Sequence, residues 1–368
     1  MALKDKVRAK VAAINPYKPG KPIGEVQREL GLTDVIKMAS NENPLGPSAA
    51  AVRAAAEAAR DINLYPENSG FYLVRGLSDA LGFPPDSIVL GRGCSEIIEL
   101  AVRTFVEPGD EVLAAHPSFL VYGLATAIAG GDLVRVPLAD MTHDLPAMAD
   151  AITAKTKVVF VCNPNNPTGT AVGQAEVDEF MKRVPEDVVV FFDEAYYEYV
   201  TRPDFPQTLP LVSAGRNVIV GRTFSKIYGL AGLRVGYGVT TPEIADYMNR
   251  ARPPFNTSSV AQAAALAALS DGEHAQRSVS LNRDGKEYLY ARFDELGVKY
   301  VPTEANFVLF DSGGDGAALV RAMMERGVIV RQMTGFGMEP PYVRVTVGSA
   351  GQNERFVKVL TEVLPGIR

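Results

Sequence analysis

The sequence has few of the residues that build metal sites and disulfide frameworks. Of its 368 residues, two are cysteines, Cys94 and Cys162, and three are histidines. Two cysteines cannot cross-link a chain of this length into a disulfide framework, and a reducing compartment suits them best. The histidines are widely separated, so no spacing typical of a zinc site occurs. We therefore expect no metal and no nucleophilic cysteine in the chemistry of this protein.

The chain also lacks an excess of positive charge and long apolar segments. Its 37 lysines and arginines are outnumbered by 43 aspartates and glutamates, which leaves a formal net charge of -6. Nucleic acid and anionic membranes are therefore not expected as partners. The charged segment 1–10 lacks the apolar core of a signal peptide, and apolar runs such as 158–162 are too short to span a bilayer. The sequence predicts a cytoplasmic protein with a small-molecule ligand.

Short apolar strands alternate with helical stretches through the first two thirds of the chain. The strand candidates are 87–91, 111–115, 157–162, 187–193 and 217–221. Stretches such as 48–61 and 95–105 open with a serine, which is a good helix N-cap, and are rich in helix-forming residues. Continuous apolar strands between helices indicate a mostly parallel sheet covered on both faces. The predicted fold class is α/β.

The character of the sequence changes near residue 245. Long helical stretches, 260–270 and 282–296, precede a group of short strand candidates, and that order suits a smaller α+β domain. The proline-rich segment 15–22 cannot be helical, because proline removes a backbone donor and fixes φ, so we interpret it as an extended arm lying on another surface or on a partner subunit. The predicted organisation is an arm and the start of the small domain over 1–39, a large domain over 40–245 and a small domain over 246–368.

Polar segments directly follow three of the predicted strands. They are 163–169 (Asn-Pro-Asn-Asn-Pro-Thr-Gly), 193–196 (Asp-Glu-Ala-Tyr) and 222–226 (Arg-Thr-Phe-Ser-Lys). A fourth segment, 91–95, joins a strand to a helix start, where backbone N–H groups can bind a phosphate. Each residue alone could be an ordinary turn, cap or surface residue. Ligands of open α/β sheets bind at the carboxyl ends of strands, so the conjunction predicts one shared site.

This set of side chains suits pyridoxal phosphate. The cofactor needs a lysine that binds it as a Schiff base, an acid that holds the proton of its ring nitrogen, and donors around its phosphate. Lys226 and Asp193 suit the first two roles. The candidates for the phosphate are Gly93, Cys94, Ser95, Thr223, Ser225 and Arg234, and those for the phenolate oxygen of the ring are Asn166 and Tyr196.

Over nearly the whole chain, these motifs resemble the fold-type I pyridoxal-phosphate aminotransferases. The resemblance is carried by 163–169, 193–196 and 225–236 (Ser-Lys-Ile-Tyr-Gly-Leu-Ala-Gly-Leu-Arg-Val-Gly). Four shorter segments are similar to those of the histidinol-phosphate aminotransferases, namely 40–47, 64–66, 117–119 and 343–348. The resemblance implies the fold-type I architecture, a large domain with a mostly parallel sheet and a smaller α+β C-terminal domain, and a homodimer as the active unit.

The resemblance also implies roles for individual residues. Arg344 matches the arginine that binds the substrate carboxylate, a bidentate pairing that lysine would not reproduce. Tyr65 matches a tyrosine that reaches the cofactor phosphate of the other subunit, and Phe119 matches the aromatic residue that stacks on the pyridine ring. The remaining substrate-binding candidates are Tyr17 and Arg331, which match residues near the substrate phosphate, and Asn43 of the 40–47 segment.

One turn departs from the family pattern. Where the family usually has Gly-Asn-Gly-Ser-Asp-Glu, this chain has Gly-Arg-Gly-Cys-Ser-Glu over 91–96. The backbone donors of the turn survive such side-chain changes. We therefore expect cofactor binding to persist.

The predicted reaction is transamination between histidinol phosphate and 2-oxoglutarate, with Lys226 as the general base. Three alternatives stay open. An aromatic amino-acid aminotransferase shares nearly every motif and differs mainly in the side-chain pocket, where Arg331 favours a phosphate. A phosphothreonine-type decarboxylase would keep the same cofactor residues and release CO2. A non-enzymatic regulatory module is disfavoured, because the segment before Ser40 is short and proline-rich and offers no basic DNA-binding extension.

Overall fold

The structure is a computed structural model that describes residues 3–16 and 20–368. Its helices are α1 (Ala9–Ala12), α2 (Ile23–Leu30), α3 (Ala49–Ala58), α4 (Phe71–Leu81), α5 (Cys94–Phe105), α6 (Val121–Ala129), α7 (Leu145–Asp150), α8 (Gln174–Arg183), α9 (Leu209–Ser213), α10 (Pro242–Ala251), α11 (Ser259–Leu269), α12 (Gly272–Leu296), α13 (Gly316–Met324) and α14 (Ala350–Val363). Its strands are β1 (Ile36–Lys37), β2 (Ile88–Gly91), β3 (Glu111–His116), β4 (Asp132–Pro137), β5 (Thr156–Cys162), β6 (Val189–Asp193), β7 (Val218–Thr223), β8 (Gly236–Val239), β9 (Tyr300–Val301), β10 (Phe307–Asp311), β11 (Val328–Ile329), β12 (Arg331–Gln332) and β13 (Tyr342–Thr346).

Seven strands form the large sheet, in the order β2-β8-β7-β6-β5-β3-β4. Strand β8 runs antiparallel to both of its neighbours, and the other pairs are parallel. The central strands β6 and β7 are buried along their whole length, in keeping with the apolar runs 189–192 and 218–220 with which they begin. The predicted α/β class with a mostly parallel sheet is confirmed.

Both faces of this sheet are covered, which leaves its carboxyl edge for a ligand. Phe191 and Phe192 are neighbours on β6 and point to opposite faces, as successive strand residues do. Phe191 packs in a core with residues of α5, α6 and α10, whereas Phe192 packs in a second core with residues of α7 and α8. Burying one such side chain fully contributes about 1.5–3 kcal/mol, so each face needs its helices.

The C-terminal part of the chain forms two further sheets. Strands β12, β13, β10 and β9 make an antiparallel sheet in that order, and β1 pairs in parallel with β11. The second pairing joins 36–37 to the C-terminal part, as expected if the small domain starts within 1–39. Helix α11 packs instead on α3 and α4, where Ala264 lies in a core with Leu77. The domain boundary at 245 stays a prediction. Because α11 packs on helices of the large domain, the contacts favour a boundary closer to the start of α12.

Some elements differ from the sequence expectation. Strands β4 and β8 were not predicted, because β4 is a half-exposed edge strand and β8 contains two glycines, which are depleted in strands. Gly236 is required by close packing, since a Cβ there would lie 2.6 Å from the backbone nitrogen of Cys94. Helix α12 begins ten residues before the predicted 282, after Asp271, whose carboxylate accepts the backbone N–H of His274.

No helix in the described ranges is long and apolar enough to cross a membrane. In the same ranges, no group of three or more histidine, cysteine, aspartate or glutamate side chains is arranged to hold a metal ion.

Candidate active site

The polar segments that follow β5, β6 and β7 meet at one cavity of about 270 Å³. The start of α5 and residues of β12 and β13 complete its wall, so both parts of the chain contribute. The sequence-predicted residues that line it are Cys94, Ser95, Phe119, Asn166, Asp193, Tyr196, Thr223, Ser225, Lys226, Arg234, Arg331 and Arg344. The side chains at the strand ends therefore line one cavity, as the sequence predicts.

Asp193 is a buried carboxylate at the end of β6. The Tyr122 hydroxyl donates to its Oδ2 at 2.7 Å, and the backbone N–H of Ala195 donates to Oδ1 at 3.2 Å. The Cys94 thiol lies 3.6 Å from Oδ1 and is a weaker donor. Burial raises the pKa of Asp193, and these donors oppose that rise. The arrangement places a hydrogen-bonded acid in the cavity wall.

Lys226 lies three residues beyond the end of β7. Its Nζ donates to the backbone carbonyl of Ser40 at 3.2 Å and lies 5.7 Å from the centre of the Tyr196 ring. Burial, and then the positive charge of Arg344, lower the pKa of Lys226 to about 8. The shift enlarges the uncharged fraction of this amine near neutral pH, and the uncharged form is the one that a nucleophile or a proton acceptor requires.

Tyr196 presents a buried hydroxyl to the same cavity. The side-chain amide of Asn41 donates to this hydroxyl at 2.8 Å, and that of Asn166 donates to it at 3.4 Å. Burial raises the pKa of Tyr196, so the group stays protonated and can donate in turn. Asn166 and Tyr196 thus form a pair of donors for an anionic oxygen.

Hydroxyl groups and one guanidinium form an anion cradle beside the start of α5. Thr223 Oγ1 lies 3.0 Å from Ser225 Oγ, and Arg234 Nη1 donates to Ser225 Oγ at 3.3 Å. Gly93 precedes α5 with φ +76, and a Cβ there would lie 2.8 Å from Arg234 Nη2. Glycine is needed at this position both for its backbone angle and for the approach of the arginine.

The altered turn leaves the cradle intact. Arg92 Nη2 pairs with Glu96 at 2.7 Å, and its Nε also donates to that carboxylate. The Arg92 guanidinium is thus held by Glu96 of α5, and only its backbone carbonyl meets Arg234, at 3.4 Å. The substituted side chain therefore does not occupy the anion cradle.

Two arginines on neighbouring strands line the cavity from the second part of the chain. Arg331 of β12 and Arg344 of β13 are paired residues in the antiparallel register. The buried Arg344 donates to Asn166 Oδ1 and, at 3.2 Å, to the backbone carbonyl of Ala39. Phe336 lies against both guanidinium groups, 5.6 Å from Arg344 and 6.0 Å from Arg331. This wall carries two positive charges that suit an anionic substrate group.

Two of the predicted residues, Asn43 and Tyr65, lie away from the cavity. Asn43 is buried, and its amide donates to the Ile227 carbonyl at 2.7 Å and to Ser278 Oγ at 2.8 Å, so it fixes the loop before α3 and does not line the cavity. Tyr65 is 83% exposed and stacks on Phe255 with ring centres 4.8 Å apart. Tyr17 lies outside the described residues.

The cavity also contains residues that sequence reasoning missed. Ser40 and Asn41 belong to the same 40–47 segment as Asn43, and they line the cavity where Asn43 does not. Asn41 has a left-handed backbone, φ 57, which is enriched in asparagine and helps to explain that residue type there. No local signal marked Tyr122 or Phe336, because their contacts with the site come from distant parts of the chain.

A family model described as aminotransferase class I and II matches residues 33–360. A histidinol-phosphate aminotransferase of Moorella thermoacetica is 52% identical over 360 residues, which cover 98% of this chain and 93% of that protein. Histidinol-phosphate aminotransferase 1 of Nitrosococcus oceani is 46% identical over 360 residues, which cover 98% of this chain and 97% of that protein.

Solved structures agree with this match. The histidinol-phosphate aminotransferase from Sinorhizobium meliloti, in complex with pyridoxal-5'-phosphate, superposes with a TM-score of 0.89 at 28% identity and covers 98% of both chains. The L-threonine-O-3-phosphate decarboxylase from Porphyromonas gingivalis superposes with a TM-score of 0.80 at 23% identity, covering 90% of this chain and 100% of its own. At that identity the likeness shows a shared fold alone.

Proposed function

The chain belongs to the class I and II aminotransferases, and from this premise we propose that it transfers the amino group of histidinol phosphate to 2-oxoglutarate. The products are imidazole acetol phosphate and glutamate, in histidine biosynthesis. The observation that carries the proposal is the identity of 52% over 98% of the chain to a relative named for this activity. The two arginines beside the predicted cofactor residues support it.

Pyridoxal phosphate is the cofactor of this enzyme, and the cavity residues fit it. When bound, the cofactor supplies a carbonyl carbon that joins an amine and a ring that withdraws electrons from the substrate. Asp193 would hold the ring nitrogen, and Lys226 would attach to the carbonyl carbon. The residues that would hold the phosphate are Thr223, Ser225 and Arg234 with the turn 93–95, and those for the ring oxygen are Asn166 and Tyr196.

Lys226 has a second role in this proposal. Once the substrate amine has replaced it on the cofactor, the freed Nζ would remove the proton from the substrate Cα and deliver it to the cofactor carbon that bears the amine. Its lowered pKa, about 8, increases the fraction of uncharged amine that can accept this proton. The Ser40 carbonyl, 3.2 Å from Nζ, holds the amine at the cavity in the meantime.

Arg344 and Arg331 would recognise the anionic groups of the two substrates. Glutamate carries a carboxylate on the carbon that bears its amine, and histidinol phosphate carries a phosphate ester one carbon further out. Arg344 is held by Asn166 and the Ala39 carbonyl, so it can meet either group with little loss of conformational freedom. Arg331, its cross-strand partner, adds a second positive charge that favours the phosphate.

One experiment tests the reaction against its rivals. The purified holoenzyme is given histidinol phosphate, phenylalanine, tyrosine or phosphothreonine together with 2-oxoglutarate, and both glutamate and CO2 are measured. We expect histidinol phosphate to give the highest kcat/KM and no donor to release CO2. A higher kcat/KM for phenylalanine or tyrosine would establish an aromatic amino-acid aminotransferase instead, and CO2 from phosphothreonine would establish a decarboxylase.

Replacing Arg331 with alanine should raise the KM for histidinol phosphate roughly 10- to 100-fold. The reason is that a charge-assisted contact to a phosphate contributes about 1.5–3 kcal/mol. Glutamate should lose less, because it carries no phosphate, although its distal carboxylate can also use this arginine. Half-reactions followed separately with each donor measure the difference. The control is Arg321→Ala, which removes an exposed arginine of α13. Equal losses for both donors would contradict a phosphate role for Arg331.

The active unit in this proposal is a cytoplasmic homodimer. Support comes from apolar side chains left exposed over 62–72, where Ile62 is 69% exposed and Tyr72 is 71% exposed. Large exposed apolar groups in one segment are typical of an interaction surface, and a second copy of the chain is the occupant that the family resemblance implies. The Tyr65 ring packs on Phe255, which would present its hydroxyl to that partner.

Replacing Tyr65 with phenylalanine should weaken cofactor retention about 10- to 100-fold, because one hydrogen bond to the charged phosphate is lost. Cofactor loss on dialysis, followed by absorbance, measures the effect, and sedimentation gives the oligomeric state. Tyr72→Phe removes another exposed hydroxyl from the same segment and should leave cofactor retention unchanged. A wild-type enzyme that is a fully active monomer would remove the basis of this prediction.

A further inference from the structure

Two side-chain groups that donate to Asp193, the Tyr122 hydroxyl and the Cys94 thiol, have no role in the function proposed so far. Tyr122 of α6 donates its hydroxyl to Oδ2 at 2.7 Å, and its side chain is 1% exposed. Cys94, the first residue of α5, reaches Oδ1 at 3.6 Å. The two donors come from different helices and address different oxygens of one carboxylate.

Tyr122 is held in place by two aromatic neighbours. Its ring stacks on Phe160 with centres 4.3 Å apart and an angle of 8° between the planes. Phe119, which lines the cavity, meets it edge-on at 5.8 Å and 85°. Packing of this kind fixes the ring and thereby the direction of its hydroxyl. One side chain thus supports both Phe119 and Asp193.

The environment of Asp193 disfavours its charged form. Burial raises the pKa of the carboxyl, and the adjacent Glu194 adds to this rise. The other titratable groups that face it are Cys94, Tyr122, Cys162 and Tyr196, and burial raises the pKa of each, so they remain neutral. Within the described residues, the charged form of Asp193 is therefore stabilised by its hydrogen-bond donors. The shortest bond in this set is the one from Tyr122.

We propose that Tyr122 is a positioning residue that keeps Asp193 ionised and aimed into the cavity, with the Cys94 thiol as a weaker second side-chain donor. The inference deepens the proposed function and rests on it, because Asp193 acts there on the ring nitrogen of the cofactor. The negative charge of a carboxylate stabilises a protonated ring nitrogen. A neutral carboxyl group lacks that charge and does not stabilise the proton in this way.

The test measures the ionisation of Asp193 directly, in the full chain stripped of cofactor. The carbonyl-stretch infrared band of its protonated form is identified by its absence from D193N and is followed against pH. In Tyr122→Phe the loss of one donor should make Asp193 a weaker acid by about tenfold or more, so the band persists to higher pH. Cys94→Ala should shift the titration in the same direction by less, because a thiol donates weakly.

Tyr300→Phe is the matched control. Tyr300 carries a hydroxyl beside Asp294 in the small antiparallel sheet, so its loss removes a comparable group away from the site. Circular dichroism and recovery of the yellow colour on adding pyridoxal phosphate verify that each variant is folded. If Tyr122→Phe does not fold, Cys94→Ala carries the test alone.

A titration of Tyr122→Phe that coincides with the wild type overturns the proposal, and so does an equal shift in Tyr300→Phe. If Tyr122→Phe fails to fold, a titration of Asp193 in Cys94→Ala that coincides with the wild type also overturns the proposal. The measurement uses neither substrate nor turnover. A failure of the proposed transamination would therefore leave this result unaffected, and the two outcomes can be told apart.

Discussion

Lys226→Ala is expected to bind pyridoxal phosphate and yet transaminate roughly 10⁴-fold more slowly than the wild type, or worse. Two functions vanish together, since the variant has neither the amine that attaches to the cofactor nor the base that moves the Cα proton. General acid–base catalysis alone contributes about 10²- to 10⁴-fold. Residual binding should persist through Asp193, Arg234 and the hydroxyls around the phosphate. Glutamate formation and retained cofactor absorbance measure the two effects separately.

Lys286→Ala is the control that measures the effect of removing a buried lysine outside the cavity. Lys286 is 7% exposed, and its Nζ donates to the Thr303 carbonyl at 2.9 Å, away from the cavity. Its loss should cost stability but leave attachment of the cofactor to Lys226 unchanged. Borohydride reduction followed by digestion identifies the attached residue in the wild type. The cofactor on any other lysine would overturn the assignment of Lys226.

The parts of the site that were predictable are those that follow strands. Asp193 and Lys226 each come shortly after an apolar run, and parallel strands bring their carboxyl ends to one edge. Arg344 lies inside a strand of the other sheet, and periodicity alone would not have connected it with Asn166, 178 residues away in sequence. It was found through the family resemblance.

Residues that act through tertiary contacts carried no such signal. Tyr122 is separated from Asp193 by 71 residues, and an aromatic residue on an apolar helix most often reads as core. Asn41 reaches Tyr196 across 155 residues. Asn43, the predicted residue of the same segment, instead bonds to Ile227 and Ser278. Sequence pattern marks which loops meet at a site, whereas packing decides which of their side chains turn inward.

Replacing the buried Asp193 with alanine should lower kcat strongly and leave the fold intact. Asp193→Ala removes the buried negative charge that would face the ring nitrogen, and removing one member of a buried charged pair costs about 3–5 kcal/mol. Placed on the transition state, this cost is a loss of roughly 10²- to 10⁴-fold in kcat. The fold should survive, because Asp193 lies at the end of β6 and its backbone pairing is unaffected. Single-turnover rates with saturating cofactor measure the loss.

Two further variants separate charge from shape at this position. Asp193→Asn keeps the size of the side chain and an oxygen that can still accept the Tyr122 hydroxyl, so any steric explanation predicts activity close to that of the wild type. An explanation by charge predicts a loss as large as that of alanine, since an amide cannot hold a proton on the ring nitrogen. Asp193→Glu restores the charge on a longer stem and should recover part of the rate. We expect turnover to fall in the order wild type, Asp193→Glu, and then Asp193→Asn and Asp193→Ala at a similar level. Near-normal turnover of Asp193→Asn with the cofactor fully bound would place the essential acid elsewhere.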